Sequence, residues 1–496
     1  MALLYYSSTR GEGERVTASK AILKGLADDG GLFVPESIPA LPDSLENLAK
    51  LSYRDLAMKI MGCFLDDYTE EELKYCIEGA YDEKFDTPVI APLHKADGAY
   101  FLELFHGKTI AFKDMALSVL PYLMTTAAKK NDLKEKIIIL TATSGDTGKA
   151  AMAGFADVPG TGIIVFYPKD GVSPVQEKQM VTQTGDNTCV IAIRGNFDDA
   201  QRAVKKMFSD KALAEELFAH GYVFSSANSI NIGRLVPQVV YYIYAYLQLM
   251  NEGTVKAGDK INIVVPTGNF GNILAAYYAK KMGLPVNKLI CASNVNKVLT
   301  DFFRTGVYDR RREFMLTSSP SMDILVSSNL ERLIYEIAGS DAAATKGFMD
   351  ELSTKGIYTL TQKMRDSLTD FHADFATEEE TAAVIKKIYE NDRYVIDTHT
   401  AVGAAVLSKY RADTCDDTVT VVASTASPFK FARSVLHAIN PSFDGHTDEE
   451  QFADLEQVAG IERPAAIKEL ETAVVRHTTV TDEAGMEDAV KARLGL

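Results

Sequence analysis

Lys136-Ile137-Ile138-Ile139-Leu140-Thr141-Ala142-Thr143-Ser144-Gly145-Asp146-Thr147-Gly148-Lys149 runs from a short apolar strand, through a loop, into a helix that starts near Gly148. Ile137 to Leu140 show no polar alternation, which is the pattern of a strand covered on both faces. The same unit recurs. Gly162-Ile163-Ile164-Val165-Phe166-Tyr167 precedes a helical pattern over 174–183, Cys189-Val190-Ile191-Ala192-Ile193 precedes one over 197–208, and Tyr222-Val223-Phe224 precedes a long one over 232–249. Strand followed by helix, repeated with short connections, implies a parallel sheet covered by helices. Right-handed crossovers then gather the functional loops at the carboxyl ends of the strands. A second set follows at Lys260-Ile261-Asn262-Ile263-Val264-Val265, Leu289-Ile290-Cys291-Ala292 and Thr418-Val419-Thr420-Val421-Val422-Ala423, with a helical insertion over 327–391. The predicted fold class is α/β with two parallel sheets. The expected division is a mostly helical region over 1–98, a smaller α/β domain over 99–225, a larger one over 226–436 and a helical tail over 437–496.

The 496 residues exceed what one core usually holds, and 46% hydrophobic with 24% charged residues is the balance of an ordinary globular protein. The net charge of -16 argues against nucleic acid or an anionic membrane as partner, so any anionic ligand must be held by local geometry. Five scattered cysteines (Cys63, Cys76, Cys189, Cys291, Cys415) fit a reducing compartment, and neither they nor the histidines show metal-ligand spacing. The opening Met1 to Tyr6 has no basic region followed by an apolar core of signal-peptide length, and the apolar stretch 235–250 is too short to span a bilayer. The expected setting is cytoplasmic and the expected state monomeric. The region 5–42 is irregular, 48–79 reads as helical with an acidic outer face, and a structural cap or lid is its expected role.

Four stretches carry chemistry. In Thr109-Ile110-Ala111-Phe112-Lys113-Asp114-Met115-Ala116-Leu117, an ammonium sits behind apolar residues at the mouth of a helix that Pro121 is expected to kink. Desolvation lowers a lysine's proton affinity and frees its amine for a Schiff base, although a lysine snorkelling from a helix start has the same local pattern. The 141–149 loop presents backbone N–H groups to an anion. It is not a P-loop, because Thr143 and Ala150 stand where that motif needs glycine and a hydroxyl. Pro266-Thr267-Gly268-Asn269-Phe270-Gly271-Asn272-Ile273 is a strand-to-helix turn whose glycines let the backbone approach a phosphate. Ala423-Ser424-Thr425-Ala426-Ser427-Pro428 offers hydroxyls that either meet a ring nitrogen or cap the next helix. An aldehyde partner, a phosphate cup and a ring-nitrogen partner together suggest pyridoxal 5'-phosphate.

These segments, with Ser173-Pro174-Val175-Gln176-Glu177-Lys178-Gln179-Met180 and Asn228-Ser229-Ile230-Asn231-Ile232-Gly233-Arg234, resemble the long-form threonine synthases over nearly the whole chain. The resemblance implies the three-layer αβα domains of the tryptophan-synthase-β-like fold, with an extra N-terminal region. It implies that Lys113 holds pyridoxal 5'-phosphate and acts as the proton-transfer base. Gly268, Asn269, Phe270, Gly271 and Asn272 would cup the cofactor phosphate, and Thr425 would face the pyridine nitrogen. Asp146 would lie near the phenolic oxygen, where many relatives of this fold carry Asn and where a carboxylate would repel a phenolate. Thr143, Ser144, Gly145 and Thr147 would bind the substrate carboxylate, and Asn228, Ser229 and Arg234, with Lys178, the substrate phosphate. The implied reaction turns O-phospho-L-homoserine and water into L-threonine and phosphate, and the rival is a phospholyase on similar γ-phosphorylated substrates. Elsewhere, Arg310-Arg311-Arg312 reads as a solvated turn, His399 as a satisfied buried polar residue, and His106 as either a site residue or a packing one.

Overall fold

The computed structural model describes residues 3–11, 14–143, 145–172 and 174–496. β1 (Tyr6–Ser8) and β2 (Phe33–Pro35) pair antiparallel and lead into the helices Tyr53–Phe64 and Glu70–Ala80. The acidic face read from the sequence has a local cause. Glu70, Glu71 and Glu72 occupy the first turn, where they favour the helix dipole, and Thr69 with Glu72 closes a capping box.

β3 (Leu93–Ala96) and β4 (Ala99–Glu103) form a hairpin whose two-residue turn, Asp97-Gly98, has positive φ at both positions, 46° and 67°. That is the backbone a tight two-residue hairpin requires. β5 (Lys136–Ala142), β6 (Thr161–Pro168), β7 (Thr188–Ile193) and β8 (Tyr222–Ser225) are mutually parallel in the order β7-β6-β5-β8. β9 (Ile261–Pro266) and β10 (Val286–Ser293) are parallel neighbours. β11 (Val307–Asp309) pairs with β12 (Ile357–Thr359) in a small ribbon, while β13 (Phe371–Phe375) and β14 (Thr420–Ser424) complete a six-stranded sheet in the order β13-β10-β9-β14-β4-β3. Finally β15 (Thr479–Thr481) adds to β7, again parallel.

The unbroken apolar runs are explained by burial on both faces. Ile137 and Ile139 of β5 face a continuous core shared with the N-terminal helices and the helix Ile232–Asn251, while Ile138 and Leu140 face a second cluster with Val204 and Met207. In the larger sheet Ile263 and Val265 face that shared core, and Val264 faces a cluster with the helix Thr398–Thr414. Among the described residues no helix is long and apolar enough to cross a membrane.

Three expectations change. Residues 99–103, expected to open the smaller domain, lie in the larger sheet. β4 pairs parallel with β14, which buries Tyr100, Phe101 and Leu102. The 327–391 insertion is not wholly helical, since it carries β12 and the edge strand β13. The tail after residue 437 is not only helical either, because its β15 extends the smaller sheet.

Candidate active site

The loop before Lys113 is zipped to the loop after β14. Phe112 N–H donates to the Thr425 carbonyl at 2.8 Å, Ser427 N–H donates to the Ile110 carbonyl at 3.0 Å, and Ala111 bridges Ala426. Ile110 has φ 52°, a left-handed backbone that a β-branched residue rarely adopts. Lys113 immediately precedes the short helix Asp114–Leu117, and its side chain makes no capping bond to it. Pro121 does not kink that helix. A new one, Leu120–Lys130, begins just before it and takes the proline in its first turn, where no N–H is needed.

Lys113 is buried, and its Nζ lies 3.9 Å from Asp146 Oδ2 and donates to Ser321 Oγ at 3.4 Å. Burial pushes its ammonium down to about 8. Asp146 opposes that fall, and the positive charges of Lys430 and Arg234 add to it.

Asp146 is the centre of a compact polar cluster. Its Oδ1 accepts from Gln176 Nε2 at 3.0 Å and pairs with Lys430 Nζ at 3.2 Å, while Oδ2 accepts from Ser321 Oγ at 3.3 Å. Burial alone would raise its carboxyl, but Lys430 and Lys113 outweigh it and hold the group well below the usual carboxylate range. Ser321 is itself fixed, because its backbone N–H donates to His399 Nε2 at 3.1 Å. The other ring nitrogen of His399 is 2.8 Å from Asp397 Oδ2, so the satisfied buried histidine expected from the sequence is what the fold contains.

The turn between β9 and the helix Gly271–Met282 is shaped for an anion. Among the described residues, the backbone N–H groups of Gly268 to Ile273 have no acceptor. Asn272 Oδ1 accepts from the hydroxyls of Tyr241, at 2.7 Å, and Tyr242. This fixes the amide and leaves its Nδ2 buried with no partner among the described residues. A helix amino terminus with an orphaned buried donor fits a phosphate. Thr425 is buried, and its hydroxyl has no hydrogen-bond partner among the described residues. The residues present therefore fit pyridoxal phosphate: an amine of lowered proton affinity, a phosphate turn and a hydroxyl at the strand end.

On the opposite side, Thr143 Oγ1 accepts from the N–H groups of Gly145 at 3.0 Å and Gly148 at 2.9 Å, so this hydroxyl braces its own loop. Gly145 has φ 139°, and a Cβ there would lie 2.5 Å from the Gln176 amide. Thr147 is half-buried beside it, while Ser144 lies outside the described residues. Thr141 Oγ1 donates to Asn228 Oδ1 at 3.1 Å, bringing the 226–234 segment against this loop. There Ser229 is half-buried and Arg234 fully buried. Arg234 Nη1 donates to the Ala227 carbonyl at 2.7 Å, but Nε has no partner and no carboxylate pairs with the guanidinium among the described residues.

Lys178 is exposed; on its helix it is Gln176 that reaches Asp146. His106 packs outside the cluster, against Asp86 and Glu103, and Arg311 and Arg312 engage Asp309 and Asp301 in a surface turn. Sequence reasoning missed Gln176, Ser321 and Lys430. Gln176 stood in a quoted segment, and Lys430 follows the end of the hydroxyl loop by two residues. Ser321 has no local signal at all.

Three family profiles match the chain: "Threonine synthase N terminus" over residues 5–81, "Pyridoxal-phosphate dependent enzyme" over 83–425 and "Threonine synthase, C-terminal" over 400–490. A threonine synthase of Schizosaccharomyces pombe is 36% identical over 491 residues, covering 90% of this chain and 94% of that protein. Human threonine synthase-like 1 is 39% identical over 434 residues, or 85% of this chain, and the chain spans only 58% of that longer relative. The solved structure of a pyridoxal-phosphate-bound threonine synthase from Brucella melitensis superposes with a TM-score of 0.86 at 35% identity, covering 99% of this chain and all of that one. With the site geometry these matches agree on one assignment: the chain belongs to the threonine synthase family of pyridoxal-phosphate-dependent enzymes.

Proposed function

We propose that this chain converts O-phospho-L-homoserine and water to L-threonine and phosphate. The observation that carries this reading is Arg234. A guanidinium buried without a carboxylate beside it is costly, and burial pushes it down to about 10. A substrate phosphate would supply the missing charge, and a planar guanidinium meets a phosphate with paired hydrogen bonds.

Bound pyridoxal phosphate supplies an aldehyde that captures amino groups and a ring that withdraws electrons from the α carbon. The chain's own residues do the rest. Gly268, Asn269, Phe270, Gly271 and Asn272 hold the cofactor phosphate through backbone N–H groups and the Asn272 amide. Thr425 meets the ring nitrogen with a neutral hydroxyl, so charge on the ring is settled by the surrounding protein. Lys113, with a sizeable neutral fraction near physiological pH, both anchors the cofactor and takes the α proton. Asp146 orients that amine. The loop of Thr143, Ser144, Gly145 and Thr147 receives the substrate carboxylate. Asn228, Ser229 and Arg234 receive its phosphate, with Lys178 at the outer edge.

The test is a product assay. Protein incubated with O-phospho-L-homoserine should release threonine and phosphate in equal amounts. Lys113→Ala should abolish both, together with the yellow absorbance of the lysine-bound cofactor. Phosphate released with an oxo acid in place of threonine would mark a phospholyase on γ-phosphorylated amino acids instead.

A further inference from the structure

Lys430 lies in the short turn Pro428–Phe431 that follows the hydroxyl loop, and its side chain is wholly buried. A buried ammonium persists only beside groups that neutralise it. The Thr109 carbonyl accepts from Nζ at 2.9 Å and Asp146 Oδ1 is 3.2 Å away, while the buried Asp114 carboxylate also attracts the ammonium and Lys149 repels it. The other oxygen of the same carboxylate is 3.9 Å from Lys113 Nζ. Asp146 thus stands between two ammonium groups, one of them the reactive amine. We propose that Lys430 is a positioning residue of the active site, whose ion pair with Asp146 offsets that carboxylate and so decides how tightly the nitrogen of Lys113 holds a proton.

An uncompensated Asp146 would stabilise a proton on Lys113 and make the amine a poor nucleophile. Lys430 neutralises one end of the carboxylate and adds its own repulsion toward Lys113. Among the described residues Lys113 is also faced by Arg234, from the helix Ile232–Asn251, which repels a proton, and by Asp114, on its own helix, which attracts one. His399 faces Asp146 from the helix Thr398–Thr414 and reaches Lys113 only through Ser321. The same pair would ease the repulsion between Asp146 and the cofactor's phenolic oxygen that the resemblance implies, because Asp146 with Lys430 is a net-neutral unit. The inference rests on the cofactor chemistry of the family and not on which substrate is used.

The measurement is made on the full-length holoenzyme without substrate: the pH at which its cofactor absorbance changes form. Lys430→Met should raise that midpoint by about 1–2 pH units, and Asp146→Asn should lower it by a similar amount. The double variant should return close to wild type, and Lys430→Arg, which keeps the charge, should stay there. If wild type holds one form up to its alkaline limit of stability, Asp146→Asn must bring the midpoint into range. Should Lys430→Met not fold, Lys430→Gln carries the same expectation, since it can still donate to the Thr109 carbonyl. Equal midpoints in all variants, or shifts of the same sign from the two single neutralisations, overturn the proposal. A merely structural lysine would change the melting temperature and leave the midpoint unmoved.

Discussion

On the function proposed above, Arg234 is the single side chain whose loss would separate binding of substrate from binding of cofactor. Its guanidinium is buried, and among the described residues its Nε is unpartnered and the Ala227 carbonyl accepts from Nη1. Such a group costs the empty protein stability and returns it only when an anion arrives. Arg234→Ala should therefore lower kcat/KM for phosphohomoserine by ~100-fold or more, the scale of an unpaired buried charge contact. Cofactor affinity should stay within about threefold, since a tenfold change already needs 1.4 kcal/mol. The melting temperature of the substrate-free protein should hold or rise, because the buried charge is gone. Equal losses of turnover and cofactor binding would move Arg234 out of the substrate site. Lys113 and Arg234, both buried in the fold, could be singled out in the sequence because each stands in a local pattern with a chemical meaning. Lys430 and Ser321 could not, because what they do depends on Asp146, more than 170 residues away in both cases.

The element that fixes the turn proposed to hold phosphate is the junction of β9 with the helix Gly271–Met282. Phe270, at φ 64°, makes its left-handed corner, and Gly268 packs so closely on the turn Pro320–Met322 that a Cβ would lie 2.6 Å from the Ser321 carbonyl oxygen. That obstacle is backbone, so it cannot rotate aside. Gly268→Ala should displace the segment carrying Ser321, which bridges Lys113 and Asp146. Overpacking of this kind costs about 1–3 kcal/mol, so cofactor affinity should fall roughly tenfold or more. A titration of released cofactor checks this, and an unchanged affinity would mean that the turn tolerates a side chain. The turn itself was legible, since two glycines after an apolar strand have few other uses. The central strands were legible too, because burial on both faces writes an unbroken apolar run. β4 was misplaced because its partner β14 lies over 300 residues further on, and no local pattern encodes that pairing. β15 is three residues of Thr and Val, too short to stand out from the helices around it.

At the scale of the whole molecule, the N-terminal region and the larger sheet meet at His106, which follows β4. Its ring contacts Asp86 at 2.6 Å and Glu103 at 2.9 Å, and its carbonyl accepts from the Asp86 N–H at 3.0 Å. Glu103 accepts in turn from the Tyr394 hydroxyl at 2.8 Å, so the imidazole, through Glu103, links the segment of Asp86 before β3 to the distant one of Tyr394. Burial alone would discharge the ring, but the two carboxylates outweigh it and push its pKa up to about 9. A histidine whose folded value lies above its unfolded value of about 6.5 stabilises fully below that lower value. The contribution fades as pH rises through the folded value. Asp86 is largely exposed, so solvent screening discounts the interaction to about 1–2 kcal/mol. The net charge of -16 also destabilises the chain as pH rises, so wild type alone cannot isolate the effect. The comparison with His106→Gln can, because both proteins carry the same background repulsion at high pH. The variant should have the lower denaturation midpoint at pH 6, and the gap should close on the way to about pH 10. A gap that stays constant across that range would mean that the ring is neutral in the fold, and that His106 joins these parts by hydrogen bonding and packing alone.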